Sequence, residues 1–348
     1  MQSEVEAKNI LDADYVKKEY RTVGLTMFIV SIAVLVMRIV IYFVQVALIN
    51  STMQDYYLSL LVEAIFTVPV QVLILFLIPF IIYKIRLKKS VSQVFAFSGY
   101  RKCSIWTILL SFLLGFCIIF ITMACSYMWQ IILVILGYTP NASVTPMPED
   151  FDVLFFLCSV ALTAVLPALC EEFAMRGGLL TTLRANNSKV KTILLVGIAF
   201  GLFHQNITQV FYTALMGALL CYLTLETNSI WPAVVVHFTN NFMSVYIDTA
   251  STYFLPLGNI MDYIQRRLEN LEIEMLTTWV AVFVLLAFGL IVAIVAISRK
   301  KNKNTAYVEL NTAYTNANVR LSLRDNAYFI GAIVVSIVST VITFIFGL

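Results

Sequence analysis

Charged residues are scarce in this chain, and their scarcity excludes a soluble protein. Of 348 residues, 23 are Lys or Arg and 20 are Asp or Glu, which is 12% of the sequence, whereas 60% are hydrophobic. Soluble globular domains carry about twice that charged fraction. The composition therefore indicates a polytopic membrane protein.

The chain also lacks the sequence patterns that indicate a zinc finger or a nucleic-acid-binding surface. Its six cysteines show no CxxC spacing and lie in or beside apolar segments, so we interpret them as small buried residues. The net charge of +3 comes from basic clusters that flank the apolar segments, as is typical of membrane orientation signals. We expect contact with the lipid bilayer and no nucleic-acid partner, and we make no prediction of the oligomeric state.

Long apolar runs are abundant, and we expect them to be transmembrane helices. A spanning helix needs roughly 20 mostly apolar residues, and a helix satisfies its own backbone groups in lipid. The sequence thus predicts an all-α polytopic bundle of about eight to nine spans. The first span has no small-residue cleavage site, so we interpret it as an uncleaved anchor. The nine candidate spans are 23–48, 58–83, 105–137, 153–181, 191–206, 207–225, 231–248, 276–298 and 327–348.

Lys and Arg are distributed unevenly among the connecting segments, which predicts the orientation. The N-terminal tail and the segments 84–104, 182–190 and 299–326 are rich in these residues, so we expect them to be cytoplasmic. Only the 249–275 segment departs from the pattern, with two arginines. We therefore predict a multi-pass protein of a bacterial cell membrane with a cytoplasmic N-terminus and a polar tether before its last helix.

Two charges in the first two spans, Arg38 and Glu63, are predicted to pair with each other. Counted at about 1.5 Å per residue, they lie about 15 Å and 8 Å below the outer boundary, a gap that an arginine side chain bridges. Charged groups inside a membrane usually find one another. We expect a structural ion pair here rather than a functional site.

The fourth span contains three charges in the segment LPALCEEFAMRGG. Glu172 and Arg176 are four positions apart with the acid first, the favourable order for an ion pair on a helix. Glu171 faces about 100° away and has no local partner. A carboxylate of this kind in an apolar environment is suited to act as a general base on water. Pro167 frees the carbonyl of Thr163 and predicts a kink near these charges.

The chain has only two histidines, and both lie in apolar spans. Phe200 and His204 share one helix face, as do His237 and Asn241. Counted at about 1.5 Å per residue from the span ends, the two histidines and Glu171 can meet at one depth. Each histidine alone is equally consistent with a buried polar residue that holds helices together. Together these groups supply what peptide hydrolysis needs, a base for water and donors for the oxyanion.

Three short patterns follow one another on successive spans between residues 171 and 241. EEFAMR fits EExxxR, FGLFH fits FxxxH and HFTNN fits HxxxN. In this order they resemble the CPBP family (CAAX protease and bacteriocin-processing, or Abi) of intramembrane endopeptidases, which includes the Ras-converting CAAX endopeptidase. The patterns cover about a fifth of the chain, and the spans before 153 and after 248 resemble no family that we can name.

The resemblance implies a role for the residues in these patterns. Glu171 and His204 would activate the attacking water. His237 and Asn241 would stabilise the oxyanion. Three further positions would support the site: Glu172, Arg176 and Phe200.

A metal-free mechanism is favoured over a zinc site. Glu171, His204 and His237 are ligand types that zinc accepts. The chain has, however, no HExxH motif and no third histidine. We therefore favour no cofactor, with zinc at these three residues as the alternative.

The expected organisation is a catalytic core with flanking helices. We divide the chain into an N-terminal tail with three flanking helices (1–152), a catalytic helical core (153–248), and a C-terminal part with an extracytoplasmic loop, two further helices and a cytoplasmic linker (249–348). The expected substrate is a membrane-associated protein, prenylated if the host prenylates, or a peptide precursor such as a bacteriocin or pheromone.

Two other classes of protein remain open from the sequence alone. A non-catalytic membrane immunity or scaffold protein can retain all of these residues without using them. A proton-coupled transporter also places acids and histidines at mid-membrane, but it usually contains two repeated halves. The polar cluster of this chain has no counterpart in a second half, which disfavours the transporter.

Overall fold

The structure is a computed structural model that describes residues 13–52, 55–139, 147–253, 273–301 and 321–346, together with the single positions 255, 256, 258 and 266. All regular structure in this part of the chain is helical, with ten continuous helices and no strand. The helices are α1 Ala13–Thr52, α2 Tyr56–Arg86, α3 Val91–Phe97, α4 Ile105–Ile135, α5 at 153–186, α6 Lys189–Phe203, α7 Val210–Thr227, α8 Trp231–Tyr253, α9 Ile273–Lys301 and α10 Leu323–Phe346.

Seven of these helices are long and apolar enough to cross a membrane: α1, α2, α4, α5, α7, α9 and α10. The prediction of an all-α, multi-pass protein is therefore confirmed. Of the nine predicted spans, seven correspond to helices that can cross a membrane. The helix α6 has only 15 residues, too few for a full span. The helix α8 has 23 residues but is less apolar, since His237 and a run of Thr and Asn occupy its middle.

The apolar core consists of two main clusters. The larger joins α1, α2, α5 and α6, with Phe173 and Phe200 almost fully buried in it, and the second joins α4, α7, α8 and α9. All six cysteines are free; Cys117, Cys170 and Cys221 are buried as predicted, and the other three are half-buried. The helices α5 to α8, which carry the predicted site residues, thus lie between flanking helices on both sides.

The helices α2 and α5 both depart from regular α geometry close to prolines. π-Helical stretches occupy Pro69–Leu77 in α2 and Ala161–Val165 and Phe173–Leu179 in α5. Pro167 lies just beyond the first stretch of α5, where its missing N–H leaves a carbonyl one turn earlier without a helical partner. Such π-helical turns are frequent at functional sites because they reorient side chains and release backbone groups.

Basic residues from segments that were predicted to share one side of the membrane pair with acidic residues of neighbouring helices. Arg21 of α1 contacts Asp325 of α10 at 2.5 Å, and Lys189 and Arg299 both pair with Glu226 at the end of α7. The first contact joins α1 and α10, and the other two join α6, α7 and α9. The side of the membrane on which these residues lie stays a prediction.

Some predicted features lie outside the described residues. They comprise the first twelve residues, most of the 249–275 segment, and the part of the tether from 302 to 320. The predictions for these segments therefore stay as predictions.

Candidate active site

The polar residues predicted from the sequence meet in the middle of the bundle, although they come from three separate helices. Glu171 and Glu172 lie in the second half of α5, directly before its second π-helical stretch. His204 caps the C-terminus of α6, and His237 and Asn241 lie one turn apart on α8. The convergence that depth counting suggested is therefore present.

The Glu171 carboxylate lies between the two imidazole rings. Its Oε2 atom is 3.9 Å from Nε2 of His204 and 3.9 Å from Nε2 of His237. The side chain is 14% exposed, compared with 21% for His204 and 6% for His237. Both separations are too long for a direct hydrogen bond. Oε2 of Glu171 is therefore equally distant from both rings and hydrogen-bonded to neither.

The other nitrogen of each ring fixes which atom faces Glu171. Nδ1 of His204 lies 2.8 Å from the carbonyl oxygen of Phe200, and Nδ1 of His237 lies 2.9 Å from Oε1 of Glu172. Since these oxygens only accept hydrogen bonds, each Nδ1 carries a proton. In its neutral form each ring then presents the lone pair of Nε2 to Glu171.

Glu172 and Arg176 form the ion pair predicted from their spacing. Oε2 of Glu172 is 3.0 Å from Nε of Arg176, and both side chains are fully buried. Arg176 also donates to the carbonyl of Gly217 at 3.2 Å and stacks 4.7 Å above the ring of Phe200. Because Glu172 also accepts from His237, one buried carboxylate connects the arginine to the histidine. This connection orients the His237 ring, which sequence spacing alone did not reveal.

The Asn241 amide has a fixed orientation. Its Nδ2 donates to the carbonyl of Thr163 at 3.1 Å, which is the carbonyl that Pro167 was predicted to free. Its Oδ1 accepts from Asn240, whose own amide oxygen accepts from Thr122. The second N–H of Asn241 has no hydrogen-bond partner among the described residues. The amide can therefore donate one hydrogen bond to a ligand.

Sequence reasoning missed Gln71, which lies in the π-helical stretch of α2. Its Nε2 donates to Oε1 of Glu171 at 2.8 Å, and the side chain is almost entirely buried. The hydrogen bond fixes one carboxylate oxygen and leaves Oε2 to face the histidines. A single amide within the apolar run VPVQVLILFL was the available signal, but the sequence does not show which helix it faces.

The predicted pairing of Arg38 with Glu63 is wrong. No ion pair joins them in the described part of the chain; instead, Nη2 of Arg38 donates to the carbonyl of His204 at 2.5 Å. Glu63 accepts a long hydrogen bond of 3.4 Å from the hydroxyl of Thr163. Depth counting does not include the rotation of each helix about its axis, and the two side chains face different neighbours.

The residues proposed as zinc ligands have suitable chemistry but not a suitable spacing. Two imidazole nitrogens and one carboxylate oxygen are common zinc ligands, and both rings make the second hydrogen bond that orients metal-bound histidines. A tetrahedral ion with bonds of about 2.0 Å would hold these atoms about 3.3 Å apart, whereas both observed separations are 3.9 Å. No group of three or more His, Cys, Asp or Glu has a metal-binding arrangement within the described residues. The spacing of these side chains therefore does not fit a tetrahedral zinc ion.

Comparison with known proteins covers the helices that carry this cluster. Residues 153–243 match the family described as type II CAAX prenyl endopeptidase Rce1-like. The chain carries an Rce1-like domain. Comparisons with curated proteins and with solved structures give no match. The resemblance to CAAX endopeptidases is therefore confirmed for this segment.

The Rce1-like domain contains every residue that the sequence patterns predicted for the site. Membership of this family implies an intramembrane protease. Gln71 and Arg38 lie outside the Rce1-like domain, on α2 and α1, yet both bond to residues within the cluster. The flanking helices α1 and α2 thus contribute hydrogen-bond donors to residues of the Rce1-like domain.

Proposed function

We propose that this protein is an intramembrane endopeptidase that hydrolyses a peptide bond near the C-terminus of a membrane-associated protein or peptide precursor. The observation that carries the proposal is the Glu171 carboxylate between two imidazole Nε2 atoms, inside an Rce1-like domain. The bilayer brings the substrate to the site, since the chain is a multi-pass membrane protein. We assign the catalytic core to residues 153–248.

The first step is activation of water by Glu171. Separations of 3.9 Å are spanned by one water molecule with hydrogen bonds of about 2.8 Å to each neighbour. Such a water donates to Oε2 of Glu171 and to Nε2 of His204, and its oxygen lone pair attacks the scissile carbonyl. As the new C–O bond forms, the proton passes to Glu171. Gln71 holds the other carboxylate oxygen, so Oε2 is the atom that accepts the proton.

The second step is stabilisation of the oxyanion. The unused N–H of Asn241 donates to it, while Nδ2 stays anchored to the Thr163 carbonyl. His237 donates from Nε2 when that atom is protonated. The Glu172 carboxylate at 2.9 Å stabilises such an imidazolium.

Collapse of the tetrahedral intermediate completes the reaction. The C–N bond breaks, its electron pair passes to the amine nitrogen, and this nitrogen takes the proton held by Glu171. The products are a new carboxyl terminus and a short peptide with a free amine. No serine or cysteine nucleophile is required, and Glu171 is regenerated as a carboxylate.

Identification of a cleaved peptide tests this proposal. Purified protein in liposomes is incubated with an S-farnesylated peptide that ends in a CAAX sequence, and products are identified by mass spectrometry. We expect wild type to release a short C-terminal peptide and Glu171→Gln to release none. Asp248→Asn is the matched control and should retain activity. It removes an exposed carboxylate that lies about two turns after Asn241 on α8. Equal cleavage by wild type and Glu171→Gln, or cleavage by neither, would refute the proposal.

A further inference from the structure

Arg38 carries a positive charge beside the active site without an acidic partner. Arg38 lies within the apolar part of α1, and no ion pair involves it in the described residues. Its single hydrogen bond there runs from Nη2 to the carbonyl of His204, and its Nε is buried without any partner. A charged side chain in a membrane span is costly and normally pairs with another charge. The arginine therefore lacks the anion that its position requires.

Holding the turn after α6 does not explain this charge. Gln205, which has a left-handed backbone with φ of 48°, donates from its side chain to the carbonyl of Ser31 at 2.8 Å. Trp129 donates to the carbonyl of Ile207, and Thr343 accepts from the N–H of the same residue. The turn is thus already anchored by neutral groups from three helices. A neutral donor would also satisfy the His204 carbonyl, so holding the turn does not require a positive charge.

The position of Arg38 relative to Glu171 suggests which anion it takes. Nη2 of Arg38 is 2.5 Å from the carbonyl oxygen of His204, and Nε2 of the same histidine is 3.9 Å from Oε2 of Glu171. A histidine spans about 7 Å between these two atoms, so the guanidinium lies within about 13 Å of the carboxylate, a distance that about four extended residues can span. A substrate bound at Glu171 can therefore bring its own chain end to Arg38.

We propose that Arg38 binds the C-terminal carboxylate of the substrate, a few residues beyond the scissile bond. The planar guanidinium presents parallel N–H donors that match the two oxygens of a carboxylate. One nitrogen stays on the His204 carbonyl, so ligand binding and the position of that histidine are coupled. This inference rests on the proposed function and adds to it the group that recognises the substrate's end. The preferred substrates are then peptides with a free carboxyl terminus rather than internal segments.

The test compares binding of one peptide in two forms. The probe is a fluorescent S-farnesylated CAAX peptide, prepared as the free acid and as the C-terminal amide. Affinities are measured in zwitterionic lipid nanodiscs on full-length Glu171→Gln protein, so that no turnover occurs. We expect the acid to bind about 10- to 100-fold more tightly than the amide, as a charge-assisted hydrogen-bonded pair requires.

Variants of Arg38 then assign this preference. Adding Arg38→Gln should reduce the acid-to-amide ratio to near one, because the positive charge is removed; thermal melts verify the fold. Arg38→Lys should retain part of the preference because the charge remains. Arg101→Gln is the control variant. Arg101 also donates to a neutral acceptor, the side chain of Asn228, and it is not part of the active site. Its replacement should leave the acid-to-amide ratio unchanged.

The outcomes separate this inference from the proposed function. Equal affinities for acid and amide, binding of neither, or a preference that survives Arg38→Gln would overturn the role of Arg38, even if wild type cleaves peptides. Conversely, an acid preference that depends on Arg38 would support the carboxylate site even if no cleavage is found with wild type. In that case the proposed endopeptidase activity fails while the binding site stands.

Discussion

The buried pair of Glu172 and Arg176 allows a sharp test of how the two adjacent glutamates differ. Glu172→Gln removes the carboxylate that pairs with Arg176 and leaves a fully buried guanidinium with the carbonyl of Gly217 and the ring of Phe200. Leaving one member of a buried pair uncompensated costs about 3–5 kcal/mol. At roughly 2–4 °C per kcal/mol, the melting temperature should fall by on the order of 10 °C.

Glu171→Gln is the matched variant, because it makes the same chemical change one residue away. Glu171 is partly exposed, has no bonded cation, and accepts a hydrogen bond from Gln71 that a glutamine oxygen can also accept. We expect its stability to change by less than about 1 kcal/mol, while peptide cleavage is lost. Thermal melts in detergent, measured beside cleavage rates, compare the two variants.

A double replacement strengthens this test. Glu172→Leu combined with Arg176→Leu removes both charges, so it should be more stable than Glu172→Gln alone, because no uncompensated charge remains. Its activity should stay low, since the His237 ring loses the carboxylate that orients it. Similar stability losses for Glu171→Gln and Glu172→Gln, or a double variant no more stable than Glu172→Gln, would refute this assignment of roles.

Three further predictions address the oxyanion donor, the base and the topology. Asn241→Ala should lower turnover by about 10²–10³ with peptide affinity nearly unchanged; an equal change in affinity would contradict the donor role. Gln71→Leu should lower kcat about tenfold or more at constant KM, because the Glu171 carboxylate loses a charged hydrogen bond, and unchanged kcat would show that Gln71 is dispensable. A membrane-impermeant maleimide should label Cys103, or a single cysteine introduced at position 310, only from the cytoplasmic side, and external labelling would refute the proposed orientation.

Much of the site was predictable because its chemistry is local in the sequence. The spacing of Glu172 and Arg176 fixes their shared helix face, and the ion pair follows from it. Pro167 removes one N–H, and the carbonyl it frees does take a different partner, Asn241. The catalytic roles of these residues remain proposals, since geometry alone does not test them.

Contacts between distant helices were not predictable in the same way. Gln71 and Arg38 reach the cluster only because α2 and α1 pack beside α5 and α6 with a particular rotation about their axes. A lone sequence carries no signal for that rotation. Depth along the membrane normal can be counted at about 1.5 Å per residue, and Arg38 and Glu63 were predicted to pair on that basis. In the structure they face different neighbours.

The central claim is that Glu171, rather than a metal ion, activates the attacking water. The most direct measurement is the single-turnover rate of peptide cleavage by wild type with and without excess chelator, beside the rate of Glu171→Gln. We predict that the wild-type rate is unchanged by the chelator and that Glu171→Gln is slower by about 10³ or more, within the range typical of general-base catalysis. A chelator-induced loss that added zinc restores, or a Glu171→Gln rate within tenfold of wild type, would contradict the claim.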